Sequence, residues 1–148
     1  MLRGSFPARI DEKSRLKIPS DFRALIEQHH GRALFVTSIV GDCVRIYPMP
    51  VWLAIEEQLG NNSLLPDPAT QRFFQTVNYY GQAAEIDNQG RVLIHQRLRE
   101  KAEMAGEVDV VGSYDHLQVW NHERFKSQVE NAPLTEAELR ELARPKAR

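Results

Sequence analysis

Two short stretches of this 148-residue chain place a carboxylate and a guanidinium four positions apart in the same apolar frame. The first is Ile10-Asp11-Glu12-Lys13-Ser14-Arg15-Leu16-Lys17-Ile18, and the second is Ile86-Asp87-Asn88-Gln89-Gly90-Arg91-Val92-Leu93-Ile94. An aspartate so placed accepts hydrogen bonds from the amides of a tight turn and can pair with the arginine across it. The arginine can instead grip phosphate or read a guanine edge with its planar fork. Two uses are therefore open, a lock on a hairpin and a reader of nucleic acid. Alternation along Arg15-Leu16-Lys17-Ile18 sends both basic side chains to one face, a surface narrow enough for the major groove. Where the first stretch has Lys13, Arg15 and Lys17, the second has Gln89, Arg91 and Leu93. The first is therefore expected to dominate contact with DNA, helped by phosphate contacts from Arg3, Lys13 and Lys17. Arg91 is either a second contact or a support of the fold and subunit packing, and Asp11 and Asp87 shape the turns.

No other group of residues has the spacing of a reactive centre. The five histidines, His29, His30, His95, His116 and His122, show no metal-binding pattern, and the lone Cys43 lies in a strand-like segment with no partner cysteine. There is no phosphate-binding loop or dinucleotide glycine pattern. Catalysis, a metal and a cofactor are not expected.

The elements that hold the two stretches repeat as well. Asp11 recurs 76 positions later as Asp87, Arg15 as Arg91, Phe22-Arg23 as Leu98-Arg99. A second echo, Val44-Arg45-Ile46-Tyr47 against Leu117-Gln118-Val119-Trp120, follows at an offset of 73. In the first copy a strand from Ser5 to Ile10, a turn at Asp11 to Ser14 and a returning strand from Arg15 to Ile18 form a hairpin. Pro19 stops it, Ser20 is the N-cap of a helix on Phe22, Leu25 and Ile26, and Leu34 to Ile39 with Cys43 to Tyr47 make a second hairpin. The second copy repeats this with a helix from Gln96 to Met104 and strands at Val108 to Gly112 and Leu117 to Trp120. Helices are expected at Pro50 to Leu59, Ala69 to Tyr80, Glu123 to Val129 and Leu134 to Ala143, with a linker from Gly60 to Pro68. The division is 1–59 for the first module and its helix, 60–80 for linker and connecting helix, 81–129 for the second module and 130–148 for a C-terminal helix and basic tail. Units of this size bury too little to fold alone, so the fold class is α+β, two tandem β modules packed about a pseudo-two-fold axis and flanked by helices.

Net charge is −1, but from Met1 to Arg23 six basic residues stand against three acidic ones. The surplus is either a solvated face or a binding surface. No apolar run reaches the length of a membrane helix and the N-terminus lacks a signal-peptide pattern, so a cytoplasmic protein without a membrane partner is expected. The doublets Phe73-Phe74 and Tyr79-Tyr80 cannot all face one core from a helix, which points some of them at a subunit interface. An oligomeric interaction module or antitoxin-like scaffold is the alternative to DNA binding.

Met1-Leu2-Arg3-Gly4, Asp11-x-Lys13-x-Arg15 with Pro19 and Arg23 after it, and Asp87-x-x-Gly90-Arg91 together resemble the MraZ family, over Met1 to Val129. The resemblance implies two AbrB-like, swapped-hairpin modules. It also implies a bacterial, nucleoid-associated transcriptional regulator that forms ring-shaped homo-oligomers on repeated double-stranded DNA sites. Those sites would lie upstream of the division and cell wall gene cluster. The family positions fall on Asp11, Arg15, Asp87 and Arg91. One departure is Ser14, where the family has glycine before the first arginine, and a serine at positive φ alters that turn.

Overall fold

The computed structural model describes residues 1–60, 64 and 67–145. The first copy supplies β1 (Ser5–Arg9), β2 (Arg15–Lys17), α1 (Ser20–His30), β3 (Ala33–Thr37), β4 (Val44–Pro48) and α2 (Met49–Gly60). α3 (Pro68–Tyr80) leads to the second copy, β5 (Gln82–Glu85), β6 (Arg91–Leu93), α4 (Gln96–Lys101), β7 (Glu107–Ser113), β8 (His116–Asn121) and α5 (His122–Asn131). A short α6 (Glu136–Leu142) follows. Most of the expected linker lies outside the described residues.

The architecture is α+β with tandem β units, and the strand pairing departs from the hairpin expected of each unit. β1 does not fold back onto β2; the two meet only through an isolated bridge between Ile10 and Leu16. Instead β1 pairs antiparallel with β7, from Ser5 opposite Val111 to Arg9 opposite Glu107. β5 of the second copy pairs in the same way with β3 of the first. The six-stranded sheet runs β1-β7-β8-β4-β3-β5, so reading it from either end gives the same series with the copies exchanged. A separate two-stranded ribbon joins β2 to β6. The pseudo-two-fold axis passes between β4 and β8 and through this ribbon. Alternation announces which side chains of a strand face inward, but not which strand satisfies its amides, and the swap lies in that gap.

Between the sheet and the ribbon lies the main core, in which Leu16, Ile18, Val92 and Ile94 meet Val44, Ile46, Val108, Val110, Leu117 and Val119. α1 and α4 close its flanks through Phe22, Ile26 and Leu98. The opposite face of the sheet carries a smaller cluster of Phe35, Tyr47, Trp52 and Val77 beneath α2 and α3. Trp52 stacks on Phe35 at 4.7 Å and meets Tyr47 at 5.0 Å. In the second copy, Trp120 and Phe125 hold the matching positions at 5.5 Å.

Several helix ends differ from the sequence reading, among them those of α1, α4 and α5. α1 begins at Ser20 itself, with Pro19 in the N-cap position and no side-chain cap; the proline ring presets φ and has no amide to satisfy. α4 stops at Lys101, and the chain turns through Glu103 at a φ of 55°, where a helix through Met104 was expected. α5 opens one residue before the expected Glu123, with the Asn121 side chain accepting from the Arg124 amide. Among the described residues, no helix is long and apolar enough to cross a membrane.

Candidate nucleic-acid interface

Each Asp-x-x-x-Arg stretch folds into a turn closed by its own aspartate. The Asp11 Oδ1 atom accepts from the Lys13 and Arg15 amides, both at 2.9 Å, while its Oδ2 accepts from Arg15 Nε at 3.2 Å. Asp87 repeats the pattern with the Gln89 and Arg91 amides, both at 2.8 Å, and with Arg91 Nε at 3.4 Å. The backbone adds matched bonds, Asp11 N to Arg15 O and Asp87 N to Arg91 O, each 2.9 Å. Both carboxyls are held below their ordinary value, and the largest cause in each is the amide of the arginine four residues on. The aspartate is thus a turn-former first and an ion-pair partner second. Asp11 touches only the Nε edge of Arg15, so among the described residues the terminal nitrogens of Arg15 have no protein acceptor.

The fourth residue of each turn, just before the arginine, adopts positive φ. Gly90 does so at 78° and Ser14 at 65°, so the serine accepts the conformation rather than reshaping the turn. A side chain in the left-handed region costs about 1 kcal/mol or more relative to glycine.

The two turns are interlocked. Ile18 N donates to Gly90 O and Ile94 N to Ser14 O, each at 2.9 Å. Arg91 Nη1 also approaches Asp11 Oδ2 at 3.8 Å, so the two clamps share a carboxylate. In the ribbon, Arg15 faces Leu93, Leu16 faces Val92 and Lys17 faces Arg91. Leu16 and Val92 are fully buried, which puts Arg15, Lys17, Arg91 and Leu93 together on the outer face. The side chains of Arg15 and Arg91 are 29% and 25% exposed, evenly matched. The two arginines lie on one surface formed by both copies.

Lys13 stands exposed at the tip of the first turn. Arg3 is not brought to the ribbon. It lies beyond the start of β1, its backbone against Gly112, at the far end of that strand from Asp11. Two cations that were not expected at the binding surface stand beside the second turn. Arg23 Nη2 donates to Asn88 O at 3.3 Å and Arg32 Nη1 to Asn88 Oδ1 at 2.9 Å, both leaning on Glu27. They come from the first copy, so the second turn, poor in lysine, borrows its positive charge across the pseudo-two-fold axis. The trace in the sequence is Arg23, the last residue of the first repeat block.

Three other titratable groups, Cys43, His116 and His122, are tied into the fold. Burial pushes the Cys43 thiol up to about 12, which leaves no thiolate at neutral pH. His116 stacks on Tyr47 at 4.5 Å between Asp115 and Arg45, and His122 lies on the buried Asp109 at 2.8 Å. Among the described residues no three His, Cys, Asp or Glu side chains group as a metal site. The aromatic doublets split: Phe73 packs against Trp52 and Tyr80 against the main core, while Tyr79 is 56% exposed with the Arg97 guanidinium 4.1 Å above its ring.

The family described as "MraZ protein, putative antitoxin-like" matches residues 1–74 and 81–144. A protein of Acidobacterium capsulatum named "Transcriptional regulator MraZ" is 44% identical over 143 residues, covering 97% of each chain. One of the same name from Koribacter versatilis is 43% identical over 144 residues, again 97% of each. A third, from Thiobacillus denitrificans, is 36% identical over 135 residues, 89% of this chain and 88% of its own.

Proposed function

This chain belongs to the MraZ family, and on that footing we propose that it is a DNA-binding transcriptional regulator whose reading surface is the outer face of the β2–β6 ribbon. It is a regulator and not an enzyme. One observation carries the reading: two matching aspartate clamps, one from each copy, hold Arg15 and Arg91 at diagonal positions on the same face of a strand pair. A two-stranded ribbon enters the major groove, where a guanidinium held by its Nε edge still presents its terminal nitrogens to guanine. Lys13 and Lys17, with Arg23 and Arg32 at the second turn, supply phosphate contacts. Arg3, at the far end of β1, contributes only if the bound DNA extends past the ribbon.

The local charge is modest, because Asp11, Asp87 and Glu27 offset part of it. A single copy therefore binds weakly, and a ring-shaped homo-oligomer on repeated sites gains its affinity from effective concentration. The sites belong upstream of the division and cell wall gene cluster, and the protein works in the cytoplasm at the nucleoid. The oligomer is expected to use the aromatic doublets of α3, of which Tyr79 is exposed and Phe74 half-buried. The domain boundaries that fit this reading are 1–59 and 81–129 for the modules, with 60–80 between them and 130–148 after.

The test is a fluorescence-anisotropy titration with duplex DNA from upstream of that cluster. Arg15→Ala and Arg91→Ala should each weaken binding by about tenfold or more, with oligomer size unchanged in light scattering. Lys17→Ala should lower the salt slope by about one unit without changing sequence preference. Full binding by both arginine variants would remove the ribbon from the reading role. If Arg91→Ala changes oligomer size alone, Arg91 is a structural residue and Arg15 reads by itself.

A further inference from the structure

The ribbon is two-fold symmetric in its arginines and aspartates and breaks that symmetry at one pair on its outer face. Lys17 in the first copy has Leu93 as its counterpart. Leu93 is 49% exposed and packs into neither hydrophobic cluster, since Val92 beside it fills the core position. It stands opposite Arg15 across the ribbon and two residues after Arg91, an aliphatic side chain set among cations. Such a side chain gains nothing from phosphate. Isolated exposed leucines are common on protein surfaces and carry no meaning alone. This one occupies the face that the reading above turns toward base edges, where the apolar group available is the C5-methyl of thymine.

We infer that Leu93 is a specificity-determining residue that packs against the C5-methyl of a thymine next to the base read by Arg15. The inference rests on the proposed DNA reading. It makes the two halves of the ribbon read different chemistry: guanidinium with aliphatic contact near Arg15, guanidinium with ammonium near Arg91. Each ribbon would then lie on its site in one orientation only.

The experiment uses the full chain. Duplexes are enriched from a random library with the wild-type protein, and each thymidine of the best duplex is replaced singly by deoxyuridine, which removes only the methyl group. Anisotropy should show one position at which the replacement weakens wild-type binding about fourfold, the value of burying one methyl group. Leu93→Ala should bind the thymidine duplex about as weakly as wild type binds the deoxyuridine one, and should not respond to that replacement. Its urea midpoint should match wild type, because the side chain lies outside the core. A wild-type protein indifferent to every replacement overturns the inference, and so does a Leu93→Ala protein that keeps the wild-type response. If Leu93→Ala instead changes oligomer size and keeps that response, Leu93 is a subunit contact. Failure to enrich any duplex, or binding insensitive to salt, defeats the DNA reading itself and Leu93 with it.

Discussion

At residue scale the protein offers an internal comparison, because one turn is built twice with a serine in one copy and a glycine in the other. Ser14 and Gly90 share positive φ, and each carbonyl receives an amide from the opposite copy. Ser14→Gly relieves a strained backbone without removing any of those bonds and should raise stability by about 1 kcal/mol in urea denaturation. Gly90→Ser should do the reverse and more, since a Cβ there would stand 3.0 Å from Cδ and Nη1 of Arg23. If both substitutions are neutral, the turn is not under the strain its φ implies. The departure from the family's glycine was visible in the sequence; its tolerance was not, because it depends on the Asp11 carboxylate and the Ile94 amide holding the turn from both sides.

Elements differ in how their ends are secured, and α5 has a titratable one. His122 opens that helix, where the macrodipole disfavours a cation. The hydrogen bond that His122 donates to Asp109, and then the charge of that carboxylate, nevertheless raise the His122 pKa above its ordinary 6.5. A raised folded-state value gives stability that is fully present below 6.5 and fades as pH rises through the folded pKa. The anchoring of α5 should therefore weaken toward alkaline pH. Imidazole shifts followed by NMR between about pH 5 and 9 should show His122 titrating above the ordinary 6.5, and Asp109→Asn should bring it down. An unchanged titration in that variant would assign the shift elsewhere. The sequence held both residues but no link between them: Asp109 sits in β7 and His122 follows β8, and only their pairing puts them in contact. The ribbon is the same case on a larger scale. Arg15 and Arg91 were legible as a repeated motif, and their sharing one surface was not.

For the whole molecule the swapped pairing sets the prediction. β1 makes its strand bonds on β7, β5 makes its own on β3, and β2 has only β6. Fragments 1–64 and 65–148, made separately, should each lack a cooperative thermal transition, and mixing them should restore one with native circular dichroism. A fragment that folds alone would mean its local hairpin can form after all. What the sequence by itself determined was the repeat, the inward and outward face of each strand and the two aspartate turns. These follow from periodicity and turn chemistry, which act over a few neighbouring residues. The tertiary structure alone decided which copy completes which. It brought the two arginine clamps into one ribbon, placed Arg23 and Arg32 at the second turn and left Arg3 far from it. It also left Leu93 uncovered beside Arg15. Those outcomes depend on pairing between residues far apart in sequence, and backbone amides carry no residue-specific label for their partner. Only the joint burial of both copies in one core selects it.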